Sequence, residues 1–102
     1  MVLIRGTTPT IKFTFSQISP TDIREAYLVF KKQGLSVLEK SLGYADIEEN
    51  CISFTLTQQE TLAFTAGTRL TCCLDWLTAD GTRGRSKTAE FCVDNSGKDE
   101  VI

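Results

Sequence analysis

Apolar and polar residues alternate with a period of two along most of this chain, and the longest such stretch runs from Gly67 to Val93. On its first arm Leu70, Cys72, Leu74 and Trp76 share one face while Arg69, Thr71, Cys73 and Asp75 take the other, as strand side chains do. Ala89, Phe91 and Val93 repeat the pattern on the second arm, and Asp80-Gly81 marks the turn between them. A loop of even length sets Leu70 opposite Phe91, Cys72 opposite Ala89 and Trp76 opposite Arg85. An odd loop without a bulge would pair apolar with polar positions.

Four shorter segments precede this hairpin. Thr10 to Phe15, after Pro9, turns Ile11, Phe13 and Phe15 to one side. Ile23 to Lys32 sets Ala26, Leu28 and Phe30 against Tyr27, Val29 and Lys31, which is apolar enough on both faces for a central or doubly covered strand. Leu35 to Leu42 returns after Gln33-Gly34, its Glu39-Lys40 suiting an edge, and Cys51 to Leu56 turns Ile52, Phe54 and Leu56 inward. Ser19-Pro20-Thr21-Asp22 and Glu48-Glu49-Asn50 read as turns. Thr57-Gln58-Gln59-Glu60 fits a capping box, in which Thr57 caps the Glu60 amide and the Glu60 carboxylate answers back, so a helical turn is expected there. Short strands, regular turns and no sustained 3.6-residue period predict an all-β, antiparallel immunoglobulin-like β-sandwich. It has six to seven strands and one short helical turn near residues 57–62. Residues 1–102 form one sandwich, with 1–9 as an arm and 94–102 as a mobile tail.

Composition narrows the function more than the fold. With 11 basic and 13 acidic residues the net charge is -2, too small a field to draw nucleic acid or an anionic membrane, and neither is an expected partner. Val2, Leu3 and Ile4 make too short an apolar run for a secretion signal or a spanning helix, so cytoplasmic synthesis is expected. Cys51, Cys72, Cys73 and Cys92 lack the spacing of a disulfide scaffold or a zinc site, and free thiols are expected; Cys51 is the one that could reach Cys72 or Cys73.

The chain has no histidine, which removes Ser-His-Asp and Cys-His nucleophilic machinery. Asp75 and Glu90 share the outer face of the hairpin but sit four residues apart in register, the pattern of solvated strand charges rather than of a glycosidase pair. No phosphate-cradling glycine loop is present. The expectation is no catalytic residue, no cofactor and no metal. Two groups of residues remain. Trp76, Arg83, Arg85 and Lys87 gather near the hairpin tip, where a guanidinium over an indole could form a ligand or partner site for carbohydrate or peptide. Val2, Leu3 and Ile4, with Tyr27 and Val29, form the candidate interface, the arm being apolar enough to pair with a sheet edge in a neighbouring copy.

Ile4-Arg5-Gly6-Thr7-Thr8-Pro9-Thr10, Leu56-Thr57-Gln58-Gln59-Glu60-Thr61 and Leu77-Thr78-Ala79-Asp80-Gly81 resemble a group of small prophage-encoded proteins of Firmicutes. That group is similar in turn to the amino-terminal domain of phage baseplate upper proteins, an immunoglobulin-like sandwich that packs into ring-shaped tail assemblies. The resemblance implies a structural or assembly role without catalytic residues. It also implies association with the virion, and self-association or contact with another phage structural protein through the arm and an outer sheet face.

Overall fold

The computed structural model describes residues 1–98 and 100–102. Nine strands and one α-helix form among them: β1 (Val2–Ile4), β2 (Thr10–Thr14), β3 (Ile23–Lys32), β4 (Leu35–Ser41), β5 (Ala45–Ile47), β6 (Cys51–Thr55), α1 (Gln58–Leu62), β7 (Arg69–Thr78), β8 (Arg83–Arg85) and β9 (Ala89–Asp94). One sheet runs β1-β9-β7-β3-β4, with β8 also paired to β7, and the other runs β2-β6-β5. In the lettering of immunoglobulin variable domains, β9, β7, β3 and β4 take the places of G, F, C and C′, and β2, β6 and β5 those of B, E and D. The fold is an all-β sandwich with this strand order. Ala26, Leu28 and Phe30 from β3, Ile52 and Phe54 from β6, and Leu70 and Leu74 from β7 meet between the sheets and are buried. Each lies on the face that its alternating pattern predicts.

Nine strands form among the described residues where six or seven are expected, and β1, β5 and β8 are the ones without a segment of their own in the alternating pattern. β1, β5 and β8 are each three residues long, too short for a period of two to be recognised, and tertiary pairing alone defines them. Lys40 departs from the edge role read for Glu39-Lys40. β4 is an edge strand and Glu39 is exposed, but Lys40 faces Leu28 across the pairing and turns inward. Its ammonium donates to Thr55 O at 3.0 Å and to Glu60 Oε1 at 2.9 Å, bridging the two sheets at α1.

The capping box forms as expected. Thr57 Oγ1 accepts from the Glu60 amide at 3.1 Å, and Glu60 Oε1 accepts from the Thr57 amide at 2.8 Å. The chain thereby passes from the small sheet at β6 to the large one at β7. Burial alone would raise the Glu60 carboxyl, but the Thr57 amide and the Lys40 ammonium outweigh it and hold the group below the ordinary carboxylate range.

The amino-terminal segment is not a free arm. β1 pairs in parallel with β9, Val2 beside Cys92 and Ile4 beside Asp94, and this register turns Leu3 into the core at 3% exposure. Beyond it, Arg5 donates to Asn95 Oδ1 at 2.7 Å and Leu62 O at 2.8 Å, and the Gly6 amide donates to the buried Thr61 hydroxyl. Of the predicted tail, Asp94 belongs to β9, the Ile102 amide donates to Gln58 Oε1, and residue 99 lies outside the described residues.

Candidate binding groove

The β7–β8 hairpin turns through a loop of odd length. Thr78 donates its amide to Thr82 O at 2.9 Å, leaving Ala79, Asp80 and Gly81 between them, and Gly81 takes φ +89°, a conformation that glycine adopts at the third position of such loops. This sets Trp76 opposite Gly84 and Asp75 opposite Arg85. The expected Trp76–Arg85 pairing is therefore corrected by one residue. Further along, Leu70 does lie opposite Phe91 and Cys72 opposite Ala89. One extra residue in the 86–88 bulge absorbs the difference, and Ser86 anchors it by donating its amide to Leu74 O and accepting the Leu74 amide on its hydroxyl, both at 2.8 Å.

The odd loop divides the predicted cluster. Arg83 and Arg85 project from the outer face of the large sheet beside Leu77 and Asp75, and Arg85 donates to Thr88 Oγ1 at 3.1 Å. Trp76 turns to the inner side, its ring edge-on to Phe15 with centroids 5.2 Å apart, and packs directly over Gly84. Lys87 stands exposed on the bulge. Among the candidate interface residues, Val2, Ile4 and Tyr27 are exposed on the outer face, whereas Val29 is buried beside Cys73 on the central strands. Arg69, Thr71 and Lys31 interrupt the rows between Val2 and Tyr27, so no continuous apolar patch joins them.

Asp75 faces Arg85, and Glu90 faces Thr71 with Arg69 at 3.9 Å; the two carboxylates lie four strand residues apart, about 13 Å. No group of three or more metal-ligating side chains gathers among the described residues, and no helix among them is long and apolar enough to cross a membrane. All four cysteines are free thiols. Cys51, Cys72 and Cys73 are buried and Cys92 is exposed. Burial, helped by the neighbouring Cys73, pushes the Cys72 thiol up to about 12.

A concavity opens along strand residues that the alternating pattern assigns to the core. Ile11 and Phe13 on β2 and Phe15 just after it face inward as expected, yet each is only half-buried, although Phe54 and Ile52, the partners of Ile11 and Phe13 on β6, are fully covered. The sandwich is open along this flank. A cavity of about 590 Å³ runs between β2 and the 86–91 segment, lined by Ile11, Phe13, Phe15, Trp76, Ala89 and Phe91. A second, of about 610 Å³, continues it to the loop end between residues 14–18 and the β7–β8 turn, sharing Thr14, Phe15 and Trp76. Asp80 sits in the second, held below its ordinary range by the Thr78 hydroxyl and the Thr82 amide.

Backbone groups point the same way. Phe15 donates to Asn50 O and Leu56 donates to Pro9 O, which places the bonded rungs of the β2–β6 ladder at the odd-numbered residues of β2. Thr10, Lys12 and Thr14 then direct their N–H and C=O groups to the opposite side, where no strand pairs among the described residues. An immunoglobulin sheet of order A-B-E-D carries its first strand in that position. Here β1 pairs with β9 instead, and the place beside β2 is open. One signal in the sequence marks this edge: Lys12, a charge at the centre of an otherwise apolar strand.

No family model and no curated protein matches this chain. Among solved structures it is similar to the V domain of amphioxus IgVJ-C2, at 14% identity, covering 89% of this chain and 96% of that one with a TM-score of 0.35. The fold assignment above rests on strand order and register alone.

Proposed function

We propose that this protein is a non-enzymatic assembly protein of phage or prophage type that acts through protein–protein contacts, accepting an extended segment of its partner as an added strand beside β2. The observation that carries the reading is the open flank, where the unpaired backbone of Thr10, Lys12 and Thr14 borders the half-buried Ile11, Phe13 and Phe15. An added strand would satisfy both at once: its main chain completes the ladder, and alternate side chains fill the cavity. The amino-terminal arm is occupied within its own chain and is not the donor. The sequence resemblance of residues 4–10, 56–61 and 77–81 to prophage-encoded proteins supports the phage setting, with synthesis in the cytoplasm and incorporation into a virion.

The test is binding of a capped, uncharged peptide alternating Thr and Val, read by fluorescence anisotropy, to wild type and to Lys12→Pro. Proline at an edge position removes one outward amide and is tolerated there. Wild type should bind the peptide and the variant, checked for an unchanged fold by circular dichroism, should not. Absence of binding to wild type, or equal binding to both, refutes the reading.

A second reading, a carbohydrate- or peptide-binding module, draws on the loop-end cavity, where the Phe15–Trp76 pair faces the ionised Asp80 and the Thr82 amide. A glycan that shifted the amides of Asp80 and Thr82 while leaving those of β2 unmoved would favour it.

A further inference from the structure

Resting on the strand-addition reading, we infer that the partner segment is acidic: an extended stretch whose inward residues are apolar and whose outward residues are Asp or Glu. Charge on the groove decides this. Fourteen residues line the flank cavity, none of them acidic, and two are the lysines Lys12 and Lys87. Both lysines are exposed and neither forms an ion pair among the described residues, in a chain whose net charge is -2.

The two banks divide the work by register. On β2, side chains at 11 and 13 point inward and those at 10, 12 and 14 outward. A strand added beside β2 follows the same alternation. Its inward residues meet Ile11 and Phe13 on one side and Ala89 and Phe91 on the other, while an outward residue lies directly across from Lys12. A carboxylate there forms a cross-strand ion pair, and a lysine there repels. Lys87, on the opposite bank of the same cavity, adds a second positive charge, whose field salt screens over about 10 Å at 0.1 M.

The same geometry argues against a second copy of β2 as the occupant. Two β2 strands paired antiparallel about a two-fold axis, Thr10 with Thr14, bring Lys12 against Lys12. Any shifted register that avoids this forfeits rungs from a five-residue strand. The edge is therefore set against self-pairing and toward a segment of opposite charge.

The experiment compares three capped peptides of equal length, alternating Val with Glu, Thr or Lys, against wild type and a Lys12→Glu, Lys87→Glu double variant at low and high salt. Both substitutions are at exposed positions, and a thermal melt checks that the fold is kept. Wild type should bind the Glu peptide at least about tenfold more tightly than the Lys peptide, with the gap narrowing at high salt, and the double variant should reverse the order. If the Thr peptide binds but the Glu and Lys peptides bind alike, or the double variant keeps the wild-type order, the acidic assignment is overturned and strand addition stands. If none of the three binds, both are overturned.

Discussion

Adding one methyl group at Gly84 should displace Trp76, which lines both cavities. A β-carbon at Gly84 would stand 2.5 Å from both Cζ2 and Nε1 of Trp76, where ordinary contacts begin near 3.4 Å, so ring and strand must part by about 0.9 Å. The ring of Phe15, edge-on to the indole at 5.2 Å between centroids, blocks its retreat on that side. Overpacking of this kind costs about 1–3 kcal/mol. For a chain of 102 residues each kcal/mol lowers Tm by roughly 4–8 °C, so Gly84→Ala should melt about 5–20 °C below wild type. Trp76 is the sole tryptophan, and its fluorescence reports the displacement directly as a red-shifted emission maximum. Introducing Trp76→Phe into the Gly84→Ala background removes the atoms in conflict, so the two substitutions together should cost less than the sum of each alone. An alanine variant that melts within about 1 °C of wild type with unchanged emission refutes the packing of Trp76 over Gly84.

Three further outcomes follow from the same structure. Thr57→Ala removes the acceptor for the Glu60 amide and should lower stability by about 1 kcal/mol in urea unfolding, with an unchanged dependence on denaturant. The Glu60 carboxyl is held below its ordinary value of 4.5, so its stabilising contribution is complete above that value and is lost as pH falls through the lower folded value; the stability gap between wild type and Glu60→Gln should therefore hold from pH 7 down to 4.5 and shrink as pH falls further. Cys92 is exposed while Cys51, Cys72 and Cys73 are buried, so a disulfide reagent such as DTNB should label one thiol rapidly in the native protein and four after denaturation.

The features legible in the sequence were those written in local chemistry. The alternation of Leu70, Cys72 and Leu74 against Phe91 and Ala89 identified the inward faces, because a period of two has one sense once a core exists. The Thr57/Glu60 box could be read from two residue types three positions apart, since its bonds are local. What escaped depends on non-local pairing. The odd loop at Asp80-Gly81 and the bulge at 86–88 cancel at Phe91 but not at Arg85, so a register inferred from one end failed near the tip. Docking of Val2 to Ile4 onto β9 depends on Leu3 reaching a core assembled by residues far along the chain, and three apolar residues give no hint of that destination. The open side of β2 was hidden for a related reason. Ile11, Phe13 and Phe15 have the pattern of a core strand, and whether a further strand covers them is a property of topology, with Lys12 as the one local mark.

The central claim is that β2 accepts an added strand, and the most direct measurement is the set of nuclear Overhauser contacts between the alternating Thr–Val peptide and isotope-labelled protein. The account predicts backbone contacts from the peptide to Thr10, Lys12 and Thr14, side-chain contacts to Phe13 and Phe91, and slowed amide exchange at 10, 12 and 14. Contacts confined to Tyr27 on the outer face, or to Asp80 and Thr82 at the loop end, would contradict it.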